Sequence, residues 1–310
     1  GTDDVPTIEA GTPSATLVEA GGVDNGTAGT ASSTISLIID DVDDQDTAVF
    51  DETYLADNGW SETGAGSGVY EKEGTYGTAA LTLSSGEVVY TLDDAKAATQ
   101  ALDSGDSVSE SFTVQVSANG ETATADAVFN ITGADDAAVV SGDITAGVTE
   151  GDVGDAPVTA TGTLTITDVD ADDSPSFADV ASTAGDNNYG SFELTSGTWT
   201  YTLDQSSVQD LDAGDTVNDT ITFTATDGTT QQVTVTITGT DDAAVVGGDT
   251  TGAVTEGDKG DAPVTATGTL TITDVDADDS PSFADVTSTA GDNNYGSFEL
   301  TNGTWTYTLD

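Results

Sequence analysis

Residues 165–177 read TITDVDADDSPSF, and the same stretch returns unchanged at 271–283. Four carboxylates, Asp168, Asp170, Asp172 and Asp173, fall within six residues of the first copy. Like charges at this spacing repel, so the pattern calls for a positive partner. Alternating carboxylates on a loop suit a hard cation. Calcium takes roughly six to eight oxygen ligands at ~2.3–2.6 Å, whereas magnesium keeps more of its water and takes fewer protein ligands. The sequence has no His and no Cys, which removes the donors that zinc, copper and iron favour. Ca2+ is therefore the expected ion. The motif lacks the closing Glu and flanking helices of an EF-hand, and it is not the glycine-rich nonapeptide of calcium β-rolls.

The other acidic positions are placed to join such a site. The second copy offers Asp274, Asp276 and Asp278, and a divergent first copy, IDDVDDQD at 39–46, offers Asp41 and Asp43. Acidic pairs stand at Asp135 and Asp136 and again at Asp241 and Asp242. Glu150 and Glu256 follow shortly after, and an LDxGD loop supplies Asp103 and Asp106, then Asp212 and Asp215. Two other readings compete. Acidic loops are often simply solvated, and LDxGD suits a plain turn because Asp and Gly are turn residues in any case.

Charge narrows the partners. The 310-residue chain carries a formal net charge of −54, with Lys72, Lys96 and Lys259 as its only basic residues. Nucleic acid is excluded as a partner, since nothing neutralises phosphates, and so are anionic membrane surfaces. No apolar run approaches the ~18 residues of a membrane span, and no signal peptide opens the sequence. Without Cys there are no disulfides, and the redox compartment stays open.

The elements that must position these carboxylates are strands. Asp135–Asp204 repeats as Asp241–Asp310 at an offset of 106, with seven differences. The first unit is divergent: VEAGG at 18–22 corresponds to VTEGD at 148–152, YTLDD at 90–94 to YTLDQ at 201–205, and ITGADDAA at 131–138 to ITGTDDAA at 237–244. Domains are expected at 1–134, 135–240 and 241–310. A loop insertion or extra hairpin is expected near 51–75. A period near 100 is too long for a solenoid and fits a whole β-sandwich. Trp199, Tyr201 and Leu203 alternate with Thr, as do Ile221, Phe223 and Ala225, and Val233, Val235 and Ile237. That period marks half-buried strands. The fold class is all-β, tandem Ig-like or cadherin-like Greek-key β-sandwiches strung as beads. Successive loops of a Greek key alternate between ends, so one bead's linker can meet the next bead's DxD loop. One helix is expected, at 93–102, with Asp94 as N-cap. The aromatic residues are read as core. The opening GTDD is itself a piece of the repeat, and the third unit lacks counterparts of the last two strands. The expectation is a fragment of a longer chain, or strands supplied by another chain.

Three stretches carry a resemblance: EGTYGTAALTLSSGEVVYTLDD (73–94), ALDSGDSVSESFTVQV (101–116) and ITGADDA (131–137), which return in order in unit two. The units resemble VCBS repeats of large bacterial RTX-type adhesins, over the whole chain apart from the insertion and the short third unit. The plan is also similar to cadherin-type domains, in which a linker motif, a strand Glu and the next domain's DxD loop share calcium. The resemblance implies a first junction of Asp135, Asp136, Asp168 and Asp170, with Glu150 or Asp103 and Asp106. It implies a second of Asp241, Asp242, Asp274 and Asp276, with Glu256 or Asp212 and Asp215. It further implies calcium-stiffened extender repeats outside the cell or on the bacterial surface, folding after secretion and contacting neighbouring repeats. Two alternatives remain: a self-assembling extracellular filament subunit, and a glycan-binding module using Trp60, Tyr54 and Tyr70 of the insertion. An enzyme is not expected, because no His or Cys is present and the carboxylates cluster at linkers.

Overall fold

The computed structural model describes residues 4–43 and 47–310. Asp44, Gln45 and Asp46 of the first acidic motif, and Asp3 of the opening GTDD, lie outside the described residues. The chain divides into two compact units, 1–140 with 166–176 and 141–165 with 177–310.

The first unit is a β-sandwich. Its strands are β1 (Thr7–Ala10), β2 (Leu17–Val18), β3 (Ser32–Asp40), β4 (Val49–Phe50), β5 (Ser61–Glu62), β6 (Val69–Glu73), β7 (Gly77–Thr82), β8 (Glu87–Leu92), β9 (Ser107–Ala118) and β10 (Glu121–Thr132). One sheet runs β1-β3-β8-β7-β6-β5 and the other β2-β10-β9-β4. Alternation places Leu81, Val88 and Tyr90 of the first sheet against Phe112, Val114, Phe129 and Ile131 of the second, all buried in one core. Tyr90 stacks on Phe129 with ring centroids 5.2 Å apart.

The insertion is a short helix and a hairpin. Helix α1 (Glu52–Asp57) starts at Asp51, whose side chain accepts from the Tyr54 N–H at 3.0 Å. Strands β5 and β6 follow as an antiparallel pair. Trp60 is 2% exposed and Tyr70 is 6% exposed. The Trp60 ring meets Phe112 edge-on at 6.1 Å, and the Tyr70 hydroxyl donates to Glu52 at 2.6 Å. Trp60 and Tyr70 thus extend the core, whereas Tyr54 on α1 is half-buried.

The helix expected at 93–102 does not form. The segment is a chain of turns, with Lys96 N–H donating to Asp93 O, Thr99 N–H to Lys96 O and Leu102 N–H to Thr99 O. Asp93, not Asp94, caps the first turn through Ala95 N–H. The buried Thr99 hydroxyl donates to the Tyr76 carbonyl at 3.1 Å. This tertiary bond overrides the helix propensity of an Ala-rich stretch.

The second repeat supplies β11 (Val139–Gly142), β12 (Thr145–Thr149), β13 (Thr159–Thr167), β14 (Val180–Ala184), β15 (Gly190–Thr195), β16 (Thr198–Leu203), β17 (Thr216–Thr224) and β18 (Thr230–Thr238). They form a five-stranded sheet, β11-β13-β16-β15-β14, and a three-stranded sheet, β12-β18-β17. Trp199, Tyr201, Ile221, Phe223, Val233 and Val235 are buried, as their alternation predicts. Residues 241–310 form β19 (Val245–Gly248), β20 (Thr265–Thr273), β21 (Val286–Ala290), β22 (Gly296–Thr301) and β23 (Thr304–Leu309), ordered β19-β20-β23-β22-β21. This sheet matches its predecessor strand for strand, including the register shift in its last pair.

Candidate metal centre

Strands β3, β13 and β20 each run into the acidic motif, so the same local geometry recurs three times. The second Asp of each motif donates its N–H to the first: Asp43 to Asp41 at 2.9 Å, Asp170 to Asp168 at 3.0 Å, and Asp276 to Asp274 at 3.2 Å. The linker then docks on that second Asp. Asp4 N–H donates to Asp43 Oδ2 at 2.7 Å, Asp136 N–H to Asp170 Oδ2 at 2.8 Å, and Asp242 N–H to Asp276 Oδ2 at 2.7 Å. Each motif thus turns one carboxylate oxygen toward backbone N–H groups and leaves the other for a different partner.

Among the described residues, that partner is not another protein group. Asp170 Oδ1, Asp136 Oδ2, Asp276 Oδ1, Asp242 Oδ2 and Asp41 Oδ2 are buried without a hydrogen bond. Asp170 and Asp276 are each only 3% exposed. Leaving such a group unmatched costs on the order of 1–3 kcal/mol, and more when it is charged. The one ion pair among the described residues joins Lys96 to Glu73 at 2.6 Å, so it does not neutralise these oxygens.

The first unit collects one cluster. Oxygens of Asp103, Asp135 and Asp170 lie within 4.8 Å of one another, as do those of Asp168, Asp170 and Asp173. Asp170 belongs to both groups. Ala171 N–H donates to Ala101 O, which holds the DxD loop against the LDxGD turn. The second unit collects the other cluster, with oxygens of Asp212, Asp241, Asp276 and Asp279 within 4.8 Å. There Asp278 N–H donates to Asp212 Oδ2 at 3.2 Å, and Val153 N–H to Asp242 Oδ1 at 3.2 Å.

Titration follows from burial and crowding. Burial, reinforced by Asp136, Asp168 and Asp103, pushes Asp170 up to about 6 against the pull of the Asp136 N–H. Burial also pushes Glu19 up to about 7, with Asp136, Asp170 and Asp94 adding to it. Asp136, Glu150, Asp242, Asp212 and Asp279 are raised as well, burial being the first cause in each.

Some expected ligands sit elsewhere. Glu150 belongs with the second cluster: it accepts from Thr240 N–H at 3.0 Å, and its acidic neighbours are Asp242, Asp276 and Asp210. In the first cluster that position is taken by Glu19, which accepts from Ala134 N–H at 3.4 Å. The reason is strand direction. Strand β2 pairs parallel with β10, and β12 with β18, so the Glu after the early strand lies beside the exit of its own repeat. The pairing aligns Leu17–Val18–Glu19 with Val148–Thr149–Glu150, one residue off the VEAGG–VTEGD correspondence. A slip of one residue exchanges the faces of a strand, and it is what hid Glu19. Glu256 is exposed, and Asp172 and Asp278 are exposed on the loop rims. Asp106 and Asp215 act through the main chain: their N–H groups close the turns on Asp103 O and Asp212 O, and their carbonyls accept from Gly133 and Gly239. Asp173 and Asp279 join the clusters, although neither stood out from the run of carboxylates around it.

Residues 135–239 match the family model of the bacterial cadherin-like domain. The cadherin-like segment covers β11 to β18 and both of its sheets. Cadherin-like domains are structural and adhesion modules, not catalysts. The chain is also similar to protocadherin gamma B7 extracellular cadherin domains 1–4, at 14% identity and TM-score 0.36 over 95% of this chain and 68% of that one. It is similar to protocadherin gamma B2 domains 3–6 at 14% identity and TM-score 0.32, over 99% of this chain and 69% of that one. The human desmocollin-1 ectodomain is similar at 12% identity and TM-score 0.27, over 96% of this chain and 52% of that one. No curated protein matches the chain. No helix among the described residues is long and apolar enough to cross a membrane.

Proposed function

We propose that the chain is a run of three cadherin-like extender repeats, 1–134, 135–240 and 241–310, from a bacterial surface adhesin of the VCBS and RTX type. Ca2+ bound at the acidic junctions stiffens the run. The observation that carries this reading is the set of buried, unpartnered carboxylate oxygens on Asp136, Asp170, Asp242 and Asp276. They face clusters of further carboxylates with no side-chain cation among their partners. All-oxygen donors suit calcium in charge and number.

The first site would draw on Asp103, Asp135, Asp168, Asp170 and Asp173, with Asp136 and Glu19 behind them. Membership of Asp170 in two oxygen groups favours more than one ion there. The second would draw on Asp212, Asp241, Asp276 and Asp279, with Asp242 and Glu150 behind them. Bound calcium removes mutual repulsion and ties linker, DxD loop and LDxGD turn together. A site at a hundredfold excess of calcium over its dissociation constant contributes about 2.7 kcal/mol. With strands of about nine residues at ~3.4 Å, each repeat would add roughly 30 Å to a projecting stalk.

Calorimetric titration with calcium, paired with small-angle scattering in calcium and in chelator, tests the reading. Stoichiometric binding, with a sharp maximum dimension that broadens in chelator, is expected. Absence of calcium binding would leave the clusters as solvated surface and end the proposal.

A further inference from the structure

The two linkers that carry the acidic pairs are held by different bonds. After Glu19 the chain uses eleven residues, 20–30, to reach Ala31, whose carbonyl accepts from Leu92 N–H. After Glu150 it uses seven, 151–157, to reach Val158, whose carbonyl accepts from Leu203 N–H in the same way. The longer segment closes into a loop. Gly21 N–H donates to Thr27 O at 3.0 Å, Thr27 N–H to Gly21 O at 2.8 Å and Gly26 N–H to Val23 O at 2.8 Å. Asp24 and Asn25 turn its tip with left-handed backbones, φ 50° and 55°, a region that Asp and Asn tolerate better than most residues. Asn25 and Gln100 then exchange side-chain amide hydrogen bonds at 2.9 and 3.3 Å, which ties the tip to the turns of 93–102.

This loop grips the first linker through the main chain. Gly22 N–H donates to Asp135 O at 2.7 Å, and Ala137 N–H donates to Gly22 O at 3.3 Å, so Gly22 bridges Asp136 as a parallel strand would. The approach needs glycine. A Cβ on Gly21 would lie 2.7 Å from Asp135 O and 2.8 Å from Ala134 Cβ, and Gly22 has φ 80°. Neither bond to the linker involves a carboxylate.

The second linker has no such grip. Both linkers share one pair of bonds, from Ala134 and Asp136 N–H to Glu19 and Asp170, and from Thr240 and Asp242 N–H to Glu150 and Asp276. The shorter loop adds Val153 N–H, which donates to Asp242 Oδ1 at 3.2 Å. Among the described residues, no main-chain hydrogen bond joins 151–157 to 239–244. Every bond counted here on the second linker therefore ends on a carboxylate of the crowded cluster. Mutual repulsion acts on those groups when no cation is bound, and it does not act on the amides and carbonyls of the first linker.

We propose that loop 20–30 is a main-chain clasp that keeps the first linker ordered without calcium, while the second linker is ordered only when calcium is bound. The chain thus has one fixed linker and one gated linker. The gated half rests on the calcium reading given above; the clasp does not.

Amide hydrogen exchange of the full chain, in calcium and in chelator, tests both halves. Exchange at 22 and 137 should stay within about three-fold between the two buffers, while exchange at 153 and 242 should speed about ten-fold or more in chelator. Equal acceleration at all four amides overturns the clasp. A chain in which 20–30 is replaced by the sequence of 151–157 provides the second measurement, with slow exchange in β9 and β10 showing that the unit is folded. In chelator its amides at 136–137 should exchange about ten-fold faster than in the parent chain, and unchanged exchange overturns the clasp. Should that exchange of loops unfold the unit, the comparison of buffers in the parent chain decides alone. If calorimetry shows calcium binding and 153 and 242 still exchange slowly in chelator, the gating is overturned. If calorimetry shows no calcium binding, the calcium reading falls and the gating with it, and the loop replacement in chelator still decides the clasp.

Discussion

Residues 135–204 and 241–310 are almost the same sequence with opposite burial. Both build a five-stranded sheet with identical strand register and an identical loop before the fourth strand. Leu194, Trp199, Tyr201 and Leu203 are at most 1% exposed in the first. Their counterparts Leu300, Trp305, Tyr307 and Leu309 are all partly exposed in the second. The difference is the presence of β12, β17 and β18. Strand pairing is thus a local property of the repeat, carried by turn chemistry and alternation, while the core is a property of two sheets meeting. Glu150 and Glu256 tell the same story: the first is 4% exposed beside the exit of its repeat, and the second is exposed, with no strand among the described residues paired beside it.

The largest effect separating the two copies should come from the tryptophans. Trp199→Ala should cost about 3–5 kcal/mol, as for other large buried aromatics. Trp305→Ala should cost about 1 kcal/mol or less, because the ring is already partly wet. Urea unfolding of both variants measures this, and equal losses would break the contrast between a covered and an open sheet. Next in size is a sign reversal at the acidic clusters. In excess calcium, Asp170→Asn should weaken binding at least ten-fold, about 1.4 kcal/mol. In chelator the same substitution should raise the melting temperature, since it removes a buried charge from a repelling group. Asp276→Asn should behave alike in the second cluster.

Loss of a buried carboxylate comes next. Asp219 on β17 is fully buried and accepts from the N–H groups of Asn187, Tyr189 and Gly190 and from the Tyr201 hydroxyl. Asp219→Asn should cost about 1–3 kcal/mol and speed amide exchange at 187–190, while leaving the counterpart loop at 293–296 untouched. Exchange that changes equally in both loops would show that they are coupled by something other than Asp219. The pH dependence is smaller, and its sign is fixed by the raised values. Folded Glu19 at about 7 and Asp170 at about 6 hold protons that the unfolded chain releases near 4. In chelator, stability should therefore be greatest below about pH 4.5 and fall as pH rises through 6 and 7. In excess calcium the trend should reverse over that window, because protons compete with the ion for the same oxygens. Stability curves at several pH values in the two buffers check the reversal. The smallest effect expected is Glu256→Gln, within about 0.5 kcal/mol, against a measurable loss of calcium affinity for Glu150→Gln.

Much of this was legible before any coordinates. The Thr-alternating strands follow from the period of two that a strand imposes on its side chains, and the repeat of 106 residues and the recurrence of DVDADD stand in the sequence itself. The linker pair meeting the DxD loop also follows, because loop ends alternate. What misled was local. The Ala-rich run at 93–102 has good helix propensity, and only the buried Thr99 hydroxyl and the Asp93 cap hold it as turns. The aromatics were read as core, with a ligand platform in the insertion as an alternative, and Trp60 packs against Phe112 while the Tyr70 hydroxyl bonds Glu52.

The sequence by itself determined the all-β class, the spacing of the repeats and which loops are acidic, since each rests on residue type at short range. Tertiary structure decided which carboxylates share a site. Parallel pairing of β2 with β10 and of β12 with β18 carries Glu19 and Glu150 to the exits of their own repeats, contacts separated by 115 and 90 residues. Contacts that far apart along the chain depend on strand direction and register, which no window of sequence contains. The same holds for Asp219 and the loop it latches, where one sheet carries the acid and the other carries the donors.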